Sequence, residues 1–226
     1  MYSEQAPVPG LAGRLVCVWT RVVTSAGVGL VVPDGCVDLV WGPAGPQVAG
    51  PDTGPMPVRL SPGDRYTGVR FRPGAVGEAL GVPVEALRDQ RVPLADLGTL
   101  PELAAAPLSP EAVQEALAVR LRALPGPDPA APAIAGALRT GRSVGQVARE
   151  LGLSERQLHR RCVRAFGYGP KVLQRVVRFQ RALRLARSGL PPAEVALASG
   201  YADQSHLSNE VRRLAGVPLG QLVSRP

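Results

Sequence analysis

A repeat in the second half of the chain constrains its fold more than any other feature. The segment VARELGL at residues 147–153 aligns with VALASGY at residues 195–201, a shift of 48 residues that superposes Gly152 on Gly200. Beyond these glycines the match continues with an offset of one further residue. Two copies of one supersecondary unit explain this pattern, with a turn one residue longer in the second copy.

Each copy has the residue pattern of a helix-turn-helix. A short helix carries a small alanine where a second helix must approach, and a glycine four residues later allows a sharp turn. Ser154 is predicted to cap a second helix that starts at residue 155, and Asp203 is predicted to cap its counterpart. We call residues 143–167 the first unit and residues 192–216 the second unit.

Apolar residues recur at helical spacing along one side of each second helix. The positions predicted to be buried are Leu158, Cys162 and Phe166 in the first unit and Leu207, Val211 and Leu214 in the second. Between the units, KVLQRVVRFQRALRLARSG predicts a long amphipathic helix that holds both units rigidly. Its predicted inward positions are Val172, Val176, Phe179 and Leu183.

The repeated units lie in the basic part of the chain. The net charge is +8, but residues 1–130 hold 10 Arg against 13 acidic residues, which gives −3. Residues 131–226 hold 16 basic against 5 acidic residues, which gives +11. A basic block on an otherwise acidic chain predicts an anionic partner, either a nucleic acid or a membrane surface.

The acidic part changes its sequence style along its length. Residues 14–72 contain short runs rich in Val, Trp, Cys and Thr between Gly and Pro clusters, which predict strands. Residues 73–124 change to Ala and Leu patterns that predict helices, the last with Ser109 as its cap and Pro110 at its first position. A proline-rich segment, PGPDPAAP at residues 125–132, coincides with the charge boundary and predicts a linker.

The predicted fold class is an α+β N-terminal domain, a small antiparallel sheet plus helices, followed by an all-α double helix-turn-helix domain. The predicted boundaries are residues 1–124 for the N-terminal domain, 125–132 for the linker and 133–226 for the helical domain. Within the N-terminal domain, Pro33-Asp34-Gly35 predicts a hairpin turn between two strands, because Pro fixes φ and Gly supplies a positive φ.

Residues 133–223 resemble the DNA-binding domain of the AraC/XylS family of bacterial transcription regulators. The segments that carry the resemblance are LGLSERQLHRR, RFQRALRLAR and ASGYADQSHLSNEVRRLAGVP. VVPDGCVDLVW at residues 31–41 and GVRFRPGA at residues 68–75 resemble the amino-terminal domain of one subset of these regulators. The resemblance implies a sequence-specific regulator with an N-terminal domain that senses a ligand or mediates dimerisation. The first residues, MYSEQAPVPG, lack the basic and apolar regions of a secretory signal, so the expected compartment is the cytoplasm.

In that family the second helix of each unit enters the major groove, so the outward polar side chains become candidate DNA contacts. Predicted base contacts are Arg156, Gln157, His159 and Arg160 in the first unit and Gln204, Ser205, His206, Ser208 and Asn209 in the second. Predicted phosphate contacts are Arg161, Arg164, Arg212 and Arg213. Asn209 and Val211 stand where the family usually has Arg and Phe, which implies weaker base reading by the second unit.

The N-terminal domain offers a candidate effector pocket. Its predicted lining is Trp19, Cys36, Asp38, Trp41, Tyr66, Arg70 and Arg72. Arg70 and Arg72 are predicted to share one strand face, where they either bind an anionic effector or remain an exposed face. The aromatic residues either line the pocket or pack in the core, and Asp38 is either a buried hydrogen-bond acceptor or a ligand contact.

Several function classes find little support in the sequence. The N-terminal domain has no His, no GxSxG motif and no phosphate-binding loop, so no nucleophile–base pair for an enzyme emerges there. The two His lie in separate second helices, which disfavours a metal site, and no cofactor is predicted. Cys17 and Cys36 are either buried small hydrophobes or a redox pair. The longest stretch without a charged residue, residues 39–51, is too short to span a bilayer.

The predicted partner is therefore double-stranded DNA rather than a membrane. Further expected partners are a small-molecule effector, RNA polymerase if the protein activates transcription, and a second copy of the chain in a homodimer. The alternative is a small-molecule-binding or enzymatic N-terminal domain with a secondary DNA-binding role.

Overall fold

The first half of the chain forms two antiparallel sheets. The computed structural model describes residues 1–98, 101–104 and 109–224. The strands are β1 (Tyr2–Gln5), β2 (Leu15–Val22), β3 (Gly27–Val31), β4 (Asp38–Gly42), β5 (Gly45–Ala49), β6 (Met56–Leu60), β7 (Arg65–Phe71) and β8 (Arg91–Pro93). Six of them form one sheet in the order β1-β2-β7-β4-β5-β8, whereas β3 and β6 pair with each other in a second sheet.

The N-terminal core lies against one face of the larger sheet. Alternation along β7 buries Val69 and Phe71 on this face and directs Arg70 to the other. The core is closed by short helices and by the longer helix α3. These helices are α1 (Leu94–Leu97), α2 (Pro101–Ala104) and α3 (Pro110–Arg122). The hydroxyl of Ser109 accepts a hydrogen bond from the Ala112 N–H, which confirms the predicted start of α3.

The predicted hairpin at Pro33-Asp34-Gly35 is wrong. Gly35 does adopt a positive φ of 80°, and Asp34 Oδ1 accepts a hydrogen bond from the Cys36 N–H, so the chain does turn there. The flanking strands β3 and β4, however, lie in different sheets. The two neighbours of β4 are β5, reached through the tight Gly42–Gly45 turn, and β7. No side of β4 is left for β3.

The strands also extend beyond the predicted range of residues 14–72. β1 precedes this range, and β8 lies within residues 73–124, where only helices were predicted. Both strands are short and complete the two edges of the larger sheet by pairing with β2 and β5. Strands of three or four residues are too short to show a period of two, so only the pairing partner reveals them.

The second half of the chain is helical. Its helices are α4 (Ala131–Arg139), α5 (Val144–Glu150), α6 (Glu155–Phe166), α7 (Pro170–Arg187), α8 (Pro192–Ala198), α9 (Gln204–Ala215) and α10 (Leu219–Val223). Helix α4 begins inside the predicted linker, because Pro132 lies in its first turn, where proline is tolerated. The predicted fold class, an α+β domain followed by a helical domain, is confirmed. No helix among the described residues is long and apolar enough to cross a bilayer.

The two halves pack closely against each other. A Cβ atom on Gly74 would lie 2.8 Å from the Ala131 Cβ and 2.9 Å from the Phe166 ring. On the other side, Leu30 and Val32 from the β3 region pack against the apolar core of the second unit. The N-terminal domain therefore contacts both units, and these contacts fix where their second helices face.

Candidate nucleic-acid interface

The first unit is a helix-turn-helix made of α5 and α6. Gly152 in the turn has a φ of 66°, a conformation that favours glycine. The hydroxyl of Ser154 accepts from the Gln157 N–H, while Gln157 Oε1 accepts from the Ser154 N–H, which together form a capping box. The predicted inward residues of α6, namely Leu158, Cys162 and Phe166, are all fully buried, which confirms that side of the helix.

The opposite side of α6 carries the predicted base-contacting residues. Arg156, His159 and Arg160 are exposed and lie on one face of the helix, at positions i, i+3 and i+4. Gln157 differs, because its side chain amide is used by the capping box. The structure therefore brings together three of the four residues predicted to contact bases in this unit.

The two arginines predicted to contact phosphate in the first unit are already paired. Arg161 Nη1 donates to both oxygens of Asp128, at 2.8 and 2.9 Å. Arg164 Nη2 donates to Glu78 Oε1 at 3.3 Å. Neither carboxylate belongs to the unit, and sequence reasoning missed both. A basic helix gives no indication of which distant acids will face it, so no sequence signal identifies these partners.

The second unit is made of α8 and α9 and has a simpler cap. Asp203 Oδ1 accepts from the His206 N–H at 2.7 Å, without a return bond of the capping-box kind. The predicted inward residues Leu207, Val211 and Leu214 are buried. The predicted base contacts lie on the accessible side of α9, with Ser208 half-buried and four residues exposed, namely Gln204, Ser205, His206 and Asn209.

His206 is held by its neighbours. Its ring packs edge-on against Tyr201, with 5.3 Å between the ring centroids, and its Nδ1 accepts from the Ala202 N–H at 3.4 Å. The guanidinium of Arg178 stacks over the Tyr201 ring, 4.3 Å from its centroid. In contrast to Arg161 and Arg164, the exposed Arg212 and Arg213 have no ion pair among the described residues.

Helix α7 joins the two units. Leu173 and Val176 pack in the core of the first unit, and Phe179 and Leu183 pack in the core of the second. Val172, predicted to face inward, is only partly buried but does pack against the first core. An ion pair between α7 and α9, Arg175 Nε to Glu210 Oε2 at 2.8 Å, further fixes the second unit. The described contacts thus make α7 a common support.

The predicted effector pocket is divided by the structure. Asp38, Arg70 and Trp19 lie together on the outer face of the larger sheet. Arg70 donates to both oxygens of Asp38, at 3.0 and 3.1 Å, and Trp19 Nε1 donates to the same carboxylate at 3.3 Å. Burial raises the pKa of Asp38 to about 6, although Arg70 opposes this shift. Asp38 is therefore a largely buried hydrogen-bond acceptor.

Of the other predicted pocket residues, Cys36 lies near Asp38 and Arg70, and Tyr66 shares the face of β7 that carries Arg70. Trp41 and Arg72 lie apart from this group. Trp41 is on the inner face of the sheet and donates to the Leu103 carbonyl, so it belongs to the core. The Tyr66 ring packs directly on Gly42, where a Cβ added to the glycine would lie 2.7 Å from the ring. Arg72 lies beyond the end of β7 and donates to the Ala12 carbonyl, so it does not join Arg70 as predicted. Alternation ends with the strand, which is why the prediction failed.

The cysteines are free thiols. Cys17 is buried on the sheet, and burial raises the pKa of its thiol to about 11. Burial also raises the pKa of Cys36 well above its usual value. Both shifts disfavour the thiolate, the reactive form. Among the described residues, no group of three or more His, Cys, Asp or Glu side chains could hold a metal ion.

Comparisons with known proteins find a matching domain model in each half of the chain. Residues 147–225 match the model of a helix-turn-helix domain. Residues 3–93 match the model of a domain of unknown function, DUF6597. No curated protein sequence matches the chain.

Solved structures of ToxT share the fold over most of the chain. ToxT from Vibrio cholerae superposes with a TM-score of 0.52 at 12% identity, over 91% of this chain and 97% of that one. A probable AraC family transcriptional regulator from Rhodopseudomonas palustris CGA009 gives a TM-score of 0.35 at 22% identity, over 42% of this chain and 93% of that one. The C-terminal domain of AraT, a response regulator from Geobacillus stearothermophilus, gives a TM-score of 0.39 at 24% identity, over 42% of this chain and 84% of that one.

Proposed function

We propose that the helix-turn-helix domain matched at residues 147–225 is of the AraC type, the DNA-binding domain of transcription regulators, and that it follows the domain of unknown function. From this premise we propose that the chain is a sequence-specific transcription regulator that reads DNA with both units. The observation that carries the proposal is the pairing of two exposed polar second helices on one connecting helix. Duplex DNA is the partner that fits two such helices, because its major groove admits one helix at each turn.

The length of the connecting helix supports simultaneous contact. At 1.5 Å per residue, the 18 residues of α7 rise about 27 Å. Successive major-groove segments on one face of B-DNA lie about 34 Å apart. A helix of this length, with a unit packed on each half, suits two neighbouring groove segments. In this proposal Arg156, His159 and Arg160 contact bases through the first unit, and Gln204, Ser205, His206, Ser208 and Asn209 contact bases through the second.

The base and phosphate roles can be separated by two arginine substitutions. The purified chain is first used to select duplexes from a random pool across a salt series. Arg160→Ala is expected to relax the preference at one base step, since a bidentate contact to guanine discriminates by about 1–3 kcal/mol. Arg213→Ala is expected to weaken binding to all sequences alike and to lower the salt slope by about 1.

Arg122→Ala is the matched control, because it removes the same charge from an exposed position on α3 in the N-terminal domain. Its affinity and base preference should match those of the wild type. If Arg160→Ala and Arg213→Ala both lost affinity uniformly, Arg160 would not read a base. If no motif were enriched at any salt concentration, the specific-regulator proposal would fail.

The finer part of the proposal is that the N-terminal domain transmits an effector signal. Its support is the position of this domain, which contacts the first unit through Gly74 and the second through Leu30 and Val32. A change in its packing therefore reaches both DNA-reading helices. A small-molecule screen scored by the change in operator affinity tests this, and binders that leave that affinity unchanged throughout would contradict it.

A further inference from the structure

The first unit faces carboxylates in the places where its arginines are proposed to meet phosphates. Asp128, which holds Arg161, precedes α4, and Glu78, which holds Arg164, belongs to the N-terminal domain. A carboxylate offers arginine the same paired oxygen acceptors as a phosphate. Two of the proposed phosphate contacts are thus occupied by acids of the same chain.

The base-reading side of α6 also faces the N-terminal domain. Arg156, His159 and Arg160 line a cleft of about 1250 Å³ together with Glu78 and Glu85 of the N-terminal domain. A helix in the major groove, which is about 12 Å wide, has a phosphate backbone on each side of it. If α6 entered the groove with this face, one phosphate backbone of the DNA would have to pass through the cleft. There the carboxylates of Glu78 and Glu85 would repel the phosphates.

Close packing holds the domain in this position. A Cβ on Gly167, at the end of α6, would lie 2.9 Å from the Pro51 ring and 3.0 Å from the Val84 carbonyl oxygen. Val84 begins a short 3-10 helix, Val84–Leu87, that packs against α6. Together with the contact at Gly74, this places α6 between two parts of the N-terminal domain and leaves little freedom to shift without separating them.

We propose that the N-terminal domain and the segment before α4 inhibit DNA binding by the first unit, with Glu78 and Asp128 occupying the arginines that bind phosphate. The proposal concerns the regulation of the site assigned above and rests on that proposed function. DNA binding through α6 then requires Arg161 and Arg164 to exchange carboxylates for phosphates and the domain to move away from the helix. In the second unit, the exposed Arg212 and Arg213 have no such ion pair among the described residues.

The test is to remove the two charges and measure DNA binding by the full chain. Glu78→Gln and Asp128→Asn keep the size of the side chains, and the amide introduced by Asp128→Asn retains an oxygen that can accept the Ala130 N–H as Asp128 does. At low salt the double variant is expected to bind the selected duplex about three- to tenfold more tightly, since each exposed pair is individually weak. Its salt slope should steepen by up to about 2, because each added phosphate contact contributes about 0.9.

Glu115→Gln is the matched control, because Glu115 is an exposed acid on α3. Helix α3 packs against α2, β7 and the turn at Pro9–Leu11. The substitution removes one negative charge without touching α6 and should leave affinity and slope nearly unchanged. Thermal unfolding followed by circular dichroism verifies that each variant is folded.

The outcomes separate the two proposals. Tighter binding and a steeper slope in the double variant, with Glu115→Gln unchanged, would support the inhibition. A wild type that binds DNA with the same affinity and slope as the double variant would overturn it, as would an equal gain in Glu115→Gln. If neither the wild type nor any variant bound duplex DNA, the proposed function itself would fail, and the inhibition with it.

Discussion

The two units have the same fold but different surroundings. The first unit has a strongly basic second helix, yet two of its arginines are paired with outside acids and its polar face lines a cleft. The second unit presents mostly neutral polar groups, and its Arg212 and Arg213 have no ion pair among the described residues. The more basic unit is thus the one in which carboxylates from outside the unit already pair with two arginines.

This difference shows that the charge of a helix does not by itself determine what the helix can bind. Exposed cations attract phosphates only where the duplex can approach and where no carboxylate already competes. In the second unit, no carboxylate among the described residues forms an ion pair with Arg212 or Arg213. The resemblance implies weaker base reading by the second unit, because Asn209 and Val211 replace the usual Arg and Phe, even though its arginines are unpaired among the described residues.

The largest expected effects come from truncating equivalent core leucines. Leu158→Ala in the first unit and Leu207→Ala in the second should each lower the free energy of unfolding by about 2–5 kcal/mol, since both side chains are buried. Leu197→Ala, at a position 70% exposed, is the matched control and should change it by less than about 0.5 kcal/mol. Urea unfolding followed by circular dichroism measures all three. A cost below about 1 kcal/mol for either core variant would show that its unit is not packed as described.

Smaller effects are expected at the two caps. Ser154→Ala removes the side-chain acceptor of the capping box, and Asp203→Ala removes the acceptor for the His206 N–H. Each should destabilise the chain by about 1 kcal/mol in thermal or urea unfolding. Added salt should reduce the loss of stability in Asp203→Ala but not in Ser154→Ala, because only the Asp203 charge interacts with the helix dipole. Ser205→Ala is the control, and a loss as large as that at Ser154 would argue against a specific capping role.

The smallest expected effect distinguishes a cap from a base contact. Gln157→Ala should cost less than about 1 kcal/mol of stability, because it removes only the bond returned to the Ser154 N–H. Base preference in the selection experiment should stay as in the wild type, in contrast to Arg160→Ala. A changed base preference with unchanged stability would mean that Gln157 leaves the cap to contact DNA.

Local features were the most predictable from sequence. The buried side of α6, the Ser154 cap and the start of α3 at Pro110 depend on residues within one or two turns, and each is confirmed. The hairpin at Pro33-Asp34-Gly35 failed, because a turn signal does not say which strand pairs with which. Arg72 failed for a related reason, since strand alternation ends where pairing ends.

By itself, the sequence determined two amphipathic helix-turn-helix units, their connecting helix and a basic second half, because spacing, capping and charge are local properties. Only the tertiary structure decided that Trp41 enters the core while Arg70 pairs with Asp38 on the opposite face. It also decided that Glu78 and Asp128 meet the arginines of the first unit. The physical reason is that such contacts join residues 32 to 86 positions apart, so they depend on how whole elements pack.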